Sequence, residues 1–242
     1  MRVDVALTLA LAPAPDAARD VVVLDVLRAT SSIVSALAAG ATGVEPMGTV
    51  EAAAARARAC GALLGGEREG LPPPGFDLGN SPREFAGDRL GDTLVITTTN
   101  GTRAIVTAAA HAETVAIGSL ANLTSCAAAV ARIARKQSGG VLIQCAGVKG
   151  GFTMDDAYTA GRFVQELAVW LAEWERSDAA HAAEAISRSF ETGGEGLSAS
   201  QSARNLRAAD LYDDVRFCAH ESVLEVVPKV ADVDAGVALI TA

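Results

Sequence analysis

Cysteine is scarce in this chain of 242 residues, and so is every spacing that would put it to work. The four that occur, Cys60, Cys126, Cys145 and Cys218, show no C-x-x-C pattern, so neither a disulfide framework nor a thiolate zinc site is indicated. The three histidines, His111, His181 and His220, stand alone in the sequence and read as ordinary helix or surface residues. Basic charge is also short: 20 Lys and Arg against 29 Asp and Glu leave a net charge of −9. That balance argues against nonspecific nucleic-acid binding and against attachment to an anionic membrane. No apolar run is long enough to span a bilayer, and the first residues lack the basic start and cleavage site of a secretory signal. The expected location is the cytoplasm.

Several hydrolytic motifs are missing as well. No second aspartate follows Asp25 two residues on, which excludes the aspartyl-phosphate pattern. Cys145 ends an apolar run before a glycine loop, but the residue six positions later is Gly151 rather than the arginine a cysteine phosphatase needs. No G-x-x-x-x-G-K-[ST] and no G-x-S-x-G occurs, so a P-loop and an esterase elbow are both excluded.

What is present is a packed, alternating chain. Half the residues are hydrophobic, and the length suffices for one α/β domain over residues 1–242 with a full core. Strand patterns fall at Val3–Leu9, Val21–Leu24, Thr42–Met47, Ala62–Leu64, Leu94–Thr97, Thr114–Ile117, Val141–Cys145, Val223–Val227 and Val237–Ile240. Helical patterns fall between them, at Glu51–Cys60, Thr102–Ala110, Asn122–Lys136, onward from Thr153, Asp178–Glu191 and Ser200–Ala208. Ala10–Asp20 reads as a loop, Gly193–Gly196 as a flexible break and Asp210–Asp214 as a turn. Alternation of this kind predicts a layered α/β/α fold with a mostly parallel or mixed sheet.

The chemistry concentrates at strand ends. Leu94–Thr97 runs through Thr98, Thr99, Asn100 and Gly101 into a helix that begins Thr102-Arg103. A strand ending in a Gly-containing turn that opens a helix offers free N–H groups and a positive dipole end, which suits an anion. Arg103 in the first turn is unfavourable there unless an anion lies nearby. A second stretch, Val21–Ala36, has the same design. Shifted by 72 positions, Leu24 falls on Ile96, Thr30 on Thr102, and Ile33–Ala36 on Ile105–Ala108, which suggests two pseudo-repeated βα halves.

The segment Gly65–Pro82, dense in glycine and proline, is too long for an idle connection. Leu71, Phe76 and Leu78 would anchor it, while Glu67, Asp77 and Asn80 supply hard oxygen donors of the kind Mg²⁺ takes. Ser81-Pro82 reads as a helix cap followed by proline at the first helical position. Thr153 and Asp156 stand in capping relation, and Asp155 and Asp156 suit the helix dipole there, so a structural role and a metal or substrate role both fit them. The groups that gather at strand ends and loops are then Asp25, Arg28, Thr30, Glu67, Arg68, Asp77, Asn80, Asn100, Thr102, Arg103 and Lys149. Carboxylates suit a hard divalent cation, and arginines suit phosphate or sulfonate oxygens.

These residues also carry a resemblance. Asp25-Val26-Leu27-Arg28-Ala29-Thr30-Ser31, Gly66-Glu67-Arg68, Gly75–Pro82, Thr97–Arg103 and Cys145-Ala146-Gly147 resemble, in order and spacing, the 2-phosphosulfolactate phosphatase family. Asp214–Ala219 and Val227-Pro228 extend the likeness towards the end of the chain. The resemblance implies an Mg²⁺-dependent hydrolysis of 2-phosphosulfolactate to sulfolactate, in coenzyme M biosynthesis. It departs at Ser200–Arg204, where a His-Gly pair would be expected, and at Asp155-Asp156, where Glu-Asp is usual. On this reading Mg²⁺ is held by Asp25, Glu67 and Asp77, with Asp155 and Asp156 as further candidates. Arg28, Asn100, Arg103 and the backbone at Gly101 serve the transferring phosphoryl group. Thr30, Arg68, Asn80, Ser81, Thr102 and Lys149 complete the substrate site. The expected partner is a small anionic phosphorylated substrate, with no nucleic acid or membrane, and the expected assembly is a homodimer. Two rivals stay open: a phosphatase of another small phosphorylated organic acid, and a non-catalytic anion-binding regulatory protein.

Overall fold

Strands and helices alternate along most of the chain in the computed structural model, which describes residues 1–12, 20–85, 92–137, 139–234 and 237–242. The order is β1 (Arg2–Ala6), β2 (Asp20–Leu24), α1 (Ala29–Ala38), β3 (Gly43–Pro46), α2 (Val50–Cys60), β4 (Leu63–Gly66), β5 (Thr93–Thr97), α3 (Gly101–Ala109), β6 (Thr114–Ile117) and α4 (Leu123–Gln137). Then follow β7 (Val141–Cys145), α5 (Met154–Trp170), β8 (Glu175–Arg176), α6 (Asp178–Arg188), α7 (Gly193–Ser198), α8 (Gln201–Ala208), α9 (Tyr212–Cys218), β9 (Lys229–Asp234) and β10 (Val237–Thr241). Among the described residues the strands form one mixed, mostly parallel sheet in the order β4-β5-β3-β10-β9-β6-β2-β7-β1-β8.

The alternation of side chains along a strand divides the core into layers. Val22 and Leu24 of β2 join the apolar cluster under α4 and α5, whereas Val21 and Val23 join the cluster with Ile33 of α1 and Ile105 of α3. The fold is therefore α/β/α.

The repeat suggested by the sequence extends well beyond one turn. Adding 72 to the limits of β2, α1, β3 and α2 gives 92–96, 101–110, 115–118 and 122–132, which fall on β5, α3, β6 and α4. In the sheet the equivalents β3 and β6, then β5 and β2, then β4 and β7, lie symmetrically about the β9–β10 hairpin. Antiparallel pairing of β3 with β10, β10 with β9 and β9 with β6 makes the two parallel sets run in opposite senses. Helix α1 crosses from β2 to β3 and α3 crosses back from β5 to β6, so each carries the chain from one set to the other. Five inter-strand steps separate β2 from β5, yet the segments that follow these two strands come into contact at Ala29 and Gly101.

Four sequence-based expectations change in the described residues. Gly193–Gly196 is not a flexible break but the start of α7, capped by Thr192, whose side chain accepts the Glu195 N–H. A Cβ on Gly196 would overlap the Tyr158 ring, so the glycine serves close packing. Asp210–Asp214 runs into helix α9 instead of ending as a turn. Val223–Val227 forms no strand. The Leu224 N–H donates to the Ala121 carbonyl, and the Leu224 and Val226 carbonyls accept from Ser125 and Asn122 side chains, so loop groups satisfy this backbone in place of a ladder. Leu71, expected as an anchor, is exposed, while Phe76 and Leu78 pack against the core. The loop expected over Ala10–Asp20 lies largely outside the described residues.

Candidate active site

The two crossover helices begin against each other. At the end of β2 the Asp25 N–H donates to Thr30 Oγ1 (3.2 Å) and the Asp25 carbonyl accepts the Thr30 N–H (2.9 Å). At the end of β5 the pair Thr98 and Thr102 exchange two bonds, each backbone N–H donating to the other's hydroxyl at 3.1 Å. Thr30 and Thr102 thus close the turns in which they sit. The closed turns bring Ala29 and Gly101, residues related by the 72-position shift, into contact. A Cβ on Gly101 would overlap the Ala29 methyl and reach 2.8 Å from Asp25 Oδ2. Only hydrogen at position 101 lets both helix starts approach one carboxylate. Gly101→Ala is expected to destabilise by about 1–3 kcal/mol through overpacking and to cut turnover roughly a hundredfold through misplacement. Melting temperature and phosphate release measured on one sample check this; full activity would remove the requirement for contact.

Asp25 is the hub of an acidic cluster. Its pKa is pushed well above the ordinary carboxylate range by burial, then by the charges of Asp156, Asp155 and Glu67. Asp155 is likewise raised by burial and by Asp156, and Asp156 is raised by burial. The first turn of α5 supplies both aspartates. Asp156 is a strut: its two oxygens accept the N–H groups of Val26 (3.0 Å) and Gly147 (3.0 Å), tying the turn after β2 to the loop after β7. Asp155 accepts from Ser202 Oγ at 3.3 Å. Glu67 accepts the Thr99 N–H (2.7 Å) and the Gly70 N–H (2.9 Å), so it joins the β4 and β5 ends.

Beside the cluster lie two matched tight turns, Arg68–Leu71 and Val148–Gly151, each closed by a reciprocal pair of backbone hydrogen bonds. Their central residues, Glu69 and Gly70 in one and Lys149 and Gly150 in the other, all have positive φ, the signature of a type I′ turn. The residues at the two helix starts reach one turn each. Arg28 donates to the Gly70 carbonyl at 2.7 Å. Its equivalent Asn100 makes no capping bond and instead accepts the Lys149 N–H at 3.3 Å.

The cations are held very differently. Arg28 is buried and donates to Asp214, itself fully buried, at 2.6 Å. Asp214 also accepts from Ser81 Oγ at 2.6 Å. Arg68 donates to the Glu67 carbonyl (2.6 Å) and to Thr97 Oγ1 (2.8 Å). Arg103 is exposed in the first turn of α3 and, like Lys149, has no ion pair among the described residues. Its side chain leaves a Cα–Cβ bond that tilts towards the helix start, as at every helical position.

The structure therefore gathers Asp25, Glu67, Asp155 and Asp156, with Asn100, Gly101 and Lys149 next to them. Asp77 is not brought to this group: it is exposed, and its Oδ2 accepts the Leu64 N–H at 2.9 Å, pinning the loop to β4. Asn80 is buried with its carbonyl accepting from Ser32, and its side-chain oxygen has no partner among the described residues. Asp214 and Ser202 were not singled out by sequence. Asp214 does fall within one of the family-like stretches, but burial and pairing leave no mark in residue order. Cys145 is fully buried at the end of β7, and burial followed by the charges of Asp156 and Asp155 pushes its thiol up, the reverse of an activated nucleophile.

Comparison with known proteins places the chain in a family. The family described as 2-phosphosulpholactate phosphatase matches residues 7–232. A Thermotoga maritima protein named probable 2-phosphosulfolactate phosphatase is 38% identical over 220 residues, covering 90% of this chain and 92% of its own. Proteins of the same name from Thermus thermophilus and Deinococcus radiodurans are 41% identical over 210 residues and 38% over 227. They cover 86% and 92% of this chain, and 86% and 92% of their own lengths.

Proposed function

The chain belongs to the 2-phosphosulpholactate phosphatase family of phosphoric monoester hydrolases, and we propose that it hydrolyses 2-phosphosulfolactate to sulfolactate and phosphate. The observation that carries this reading is the meeting of two helix starts over Asp25 at Gly101. Helix starts carry free N–H groups and positive dipole ends, so the phosphoryl group would bind at that junction. Arg103 adds an unpaired cation in the same turn, where negative charge on the transferring group is best stabilised. Asp155, raised by burial to about 8 and bonded by Ser202, would take the proton of the attacking water at a carboxyl oxygen in its charged form. Arg28 and Asp156 would hold the loops in place.

A divalent cation fits the donors. The cluster is made of carboxylates alone; burial, and then the charge of neighbouring carboxylates, raises Asp25 and Asp155, and a cation would relieve that cost. Mg²⁺ takes one or two carboxylates and keeps several waters, so it does not require a cage of three or more protein ligands, of which none forms among the described residues. Asp25 and Glu67 would hold it, where it would polarise a phosphoryl oxygen and acidify a bound water.

Release of phosphate from 2-phosphosulfolactate tests the activity directly, and no release with Mg²⁺ present would end this reading. The cation has a separate test. Because the carboxyl pKa values are raised in the fold, the folded chain binds protons that the unfolded chain has released. Stability contributed by this cluster therefore falls as pH climbs from the ordinary carboxylate range through the raised values. Mg²⁺ should raise the melting temperature more at pH 9 than at pH 5, by about 2.7 kcal/mol of stability at a hundredfold excess over its Kd. Equal shifts at both pH values would place the ion elsewhere.

A further inference from the structure

We propose that Lys149 reads the second acid group of the substrate, its sulfonate or carboxylate, with Asn100 positioning the turn that carries it. This rests on the phosphatase reading above and deepens it. Four cations stand in or beside the two junction turns, and three have an assigned place. Arg28 is neutralised by buried Asp214, Arg68 is held by the Glu67 carbonyl and Thr97 Oγ1, and Arg103 lies in the first turn of α3. Lys149 is exposed, with no ion pair among the described residues.

The turn itself does not ask for lysine. Asn, Asp and Gly are the residues preferred at the first central position of a type I′ turn. The matched turn carries the opposite charge there, Glu69, at nearly the same φ, 55° against 52°. The left-handed backbone thus costs both turns something, and the sign of the charge is left to be explained by what each turn faces. Like the matched turn, whose Gly70 donates to Glu67 and accepts from Arg28, the lysine turn is tied both to the acidic cluster and to a helix start. Gly147, two residues before Lys149, donates its N–H to Asp156, and Asn100 accepts the Lys149 N–H. Asn100 gives up capping its own helix for that bond. A second anion brought beside four carboxylates needs its own cation, and an ammonium on a fixed turn provides one without competing for the phosphoryl group.

The test uses the full chain with Lys149→Met, Lys149→Arg and Asn100→Ala. Binding of racemic 3-sulfolactate, which carries both acid groups and no phosphate, is measured by calorimetry beside inorganic phosphate. Lys149→Met should weaken sulfolactate roughly ten- to hundredfold and phosphate far less. Lys149→Arg should recover part of the loss, and Asn100→Ala should show a smaller loss of the same selectivity. In steady-state kinetics Lys149→Met should raise KM for 2-phosphosulfolactate at least tenfold more than KM for p-nitrophenyl phosphate. Sulfolactate binding unchanged by Lys149→Met, undetectable in the wild-type chain, or lost in parallel with phosphate binding would overturn the assignment. Absence of wild-type phosphatase activity would instead overturn the parent reading, and the calorimetry would still decide the role of Lys149.

Discussion

Asp25→Asn is expected to lower turnover on the order of 10²–10⁴-fold while raising the melting temperature measured without a divalent cation. The two effects come from one cause. Burial, and then the charges of three other carboxylates, raise the pKa of Asp25, so its charged form opposes folding and its replacement by a neutral isostere relieves that cost. The same carboxylate faces the junction of α1 and α3, where the phosphoryl group and the cation would lie. The amide keeps the shape and can still accept the Ala29 N–H that steadies the carboxylate, so a folding defect would not explain lost activity. A variant that melts lower and is inactive would mean that Asp25 is a structural residue. A variant that keeps turnover would remove it from the chemistry altogether. The stabilisation should also disappear when Mg²⁺ is added, because the ion rescues only the wild-type chain.

Asp214→Ala is expected to act on stability first, by about 3–5 kcal/mol, or roughly 6–20 °C in melting temperature for a domain of this size. Arg28 is only 4% exposed and Asp214 is fully buried, so truncating the acid leaves a guanidinium without its counter-charge in the interior. Ser81 loses its acceptor in the same step. The pair links the start of α1, the loop before the 3-10 turn Pro82–Phe85, and α9, three segments distant in sequence. A role for Arg28 as a strut predicts that Asp214→Ala and Arg28→Ala lose stability alike, with the folded fraction still active. Replacing both by apolar residues, as in Arg28→Met with Asp214→Leu, should recover much of the loss. If Asp214→Ala instead melts like the wild type and turns over a hundredfold more slowly, Arg28 belongs to the phosphoryl site.

Residue order alone determined the parts of this protein that depend on neighbours along the chain. The β-branched runs at Val21–Leu24, Thr93–Thr97 and Val141–Cys145 became buried strands because periodicity and turn residues act within a few positions. The polar turns that follow β2 and β5 became helix starts for the same reason, and their 72-residue relation was visible before any fold. The family likeness, carried by short runs in register, was legible too. Tertiary structure decided which of these pieces meet. Nothing within the Val21–Ala36 stretch shows that Asp25 will face Gly101, or that Asp155 and Asp156, some 130 residues away, will raise its pKa. Those segments meet only because β2 and β5 are placed in one sheet with the β9–β10 hairpin between their sets, pairings among strands that are not sequence neighbours. Pairing was hidden as well: Arg28 is neutralised by Asp214, and one oxygen of Asp77 accepts the Leu64 N–H. A side chain's charge can be read from its type. Whether that charge is spent inside the fold or left for a ligand depends on partners that only folding supplies.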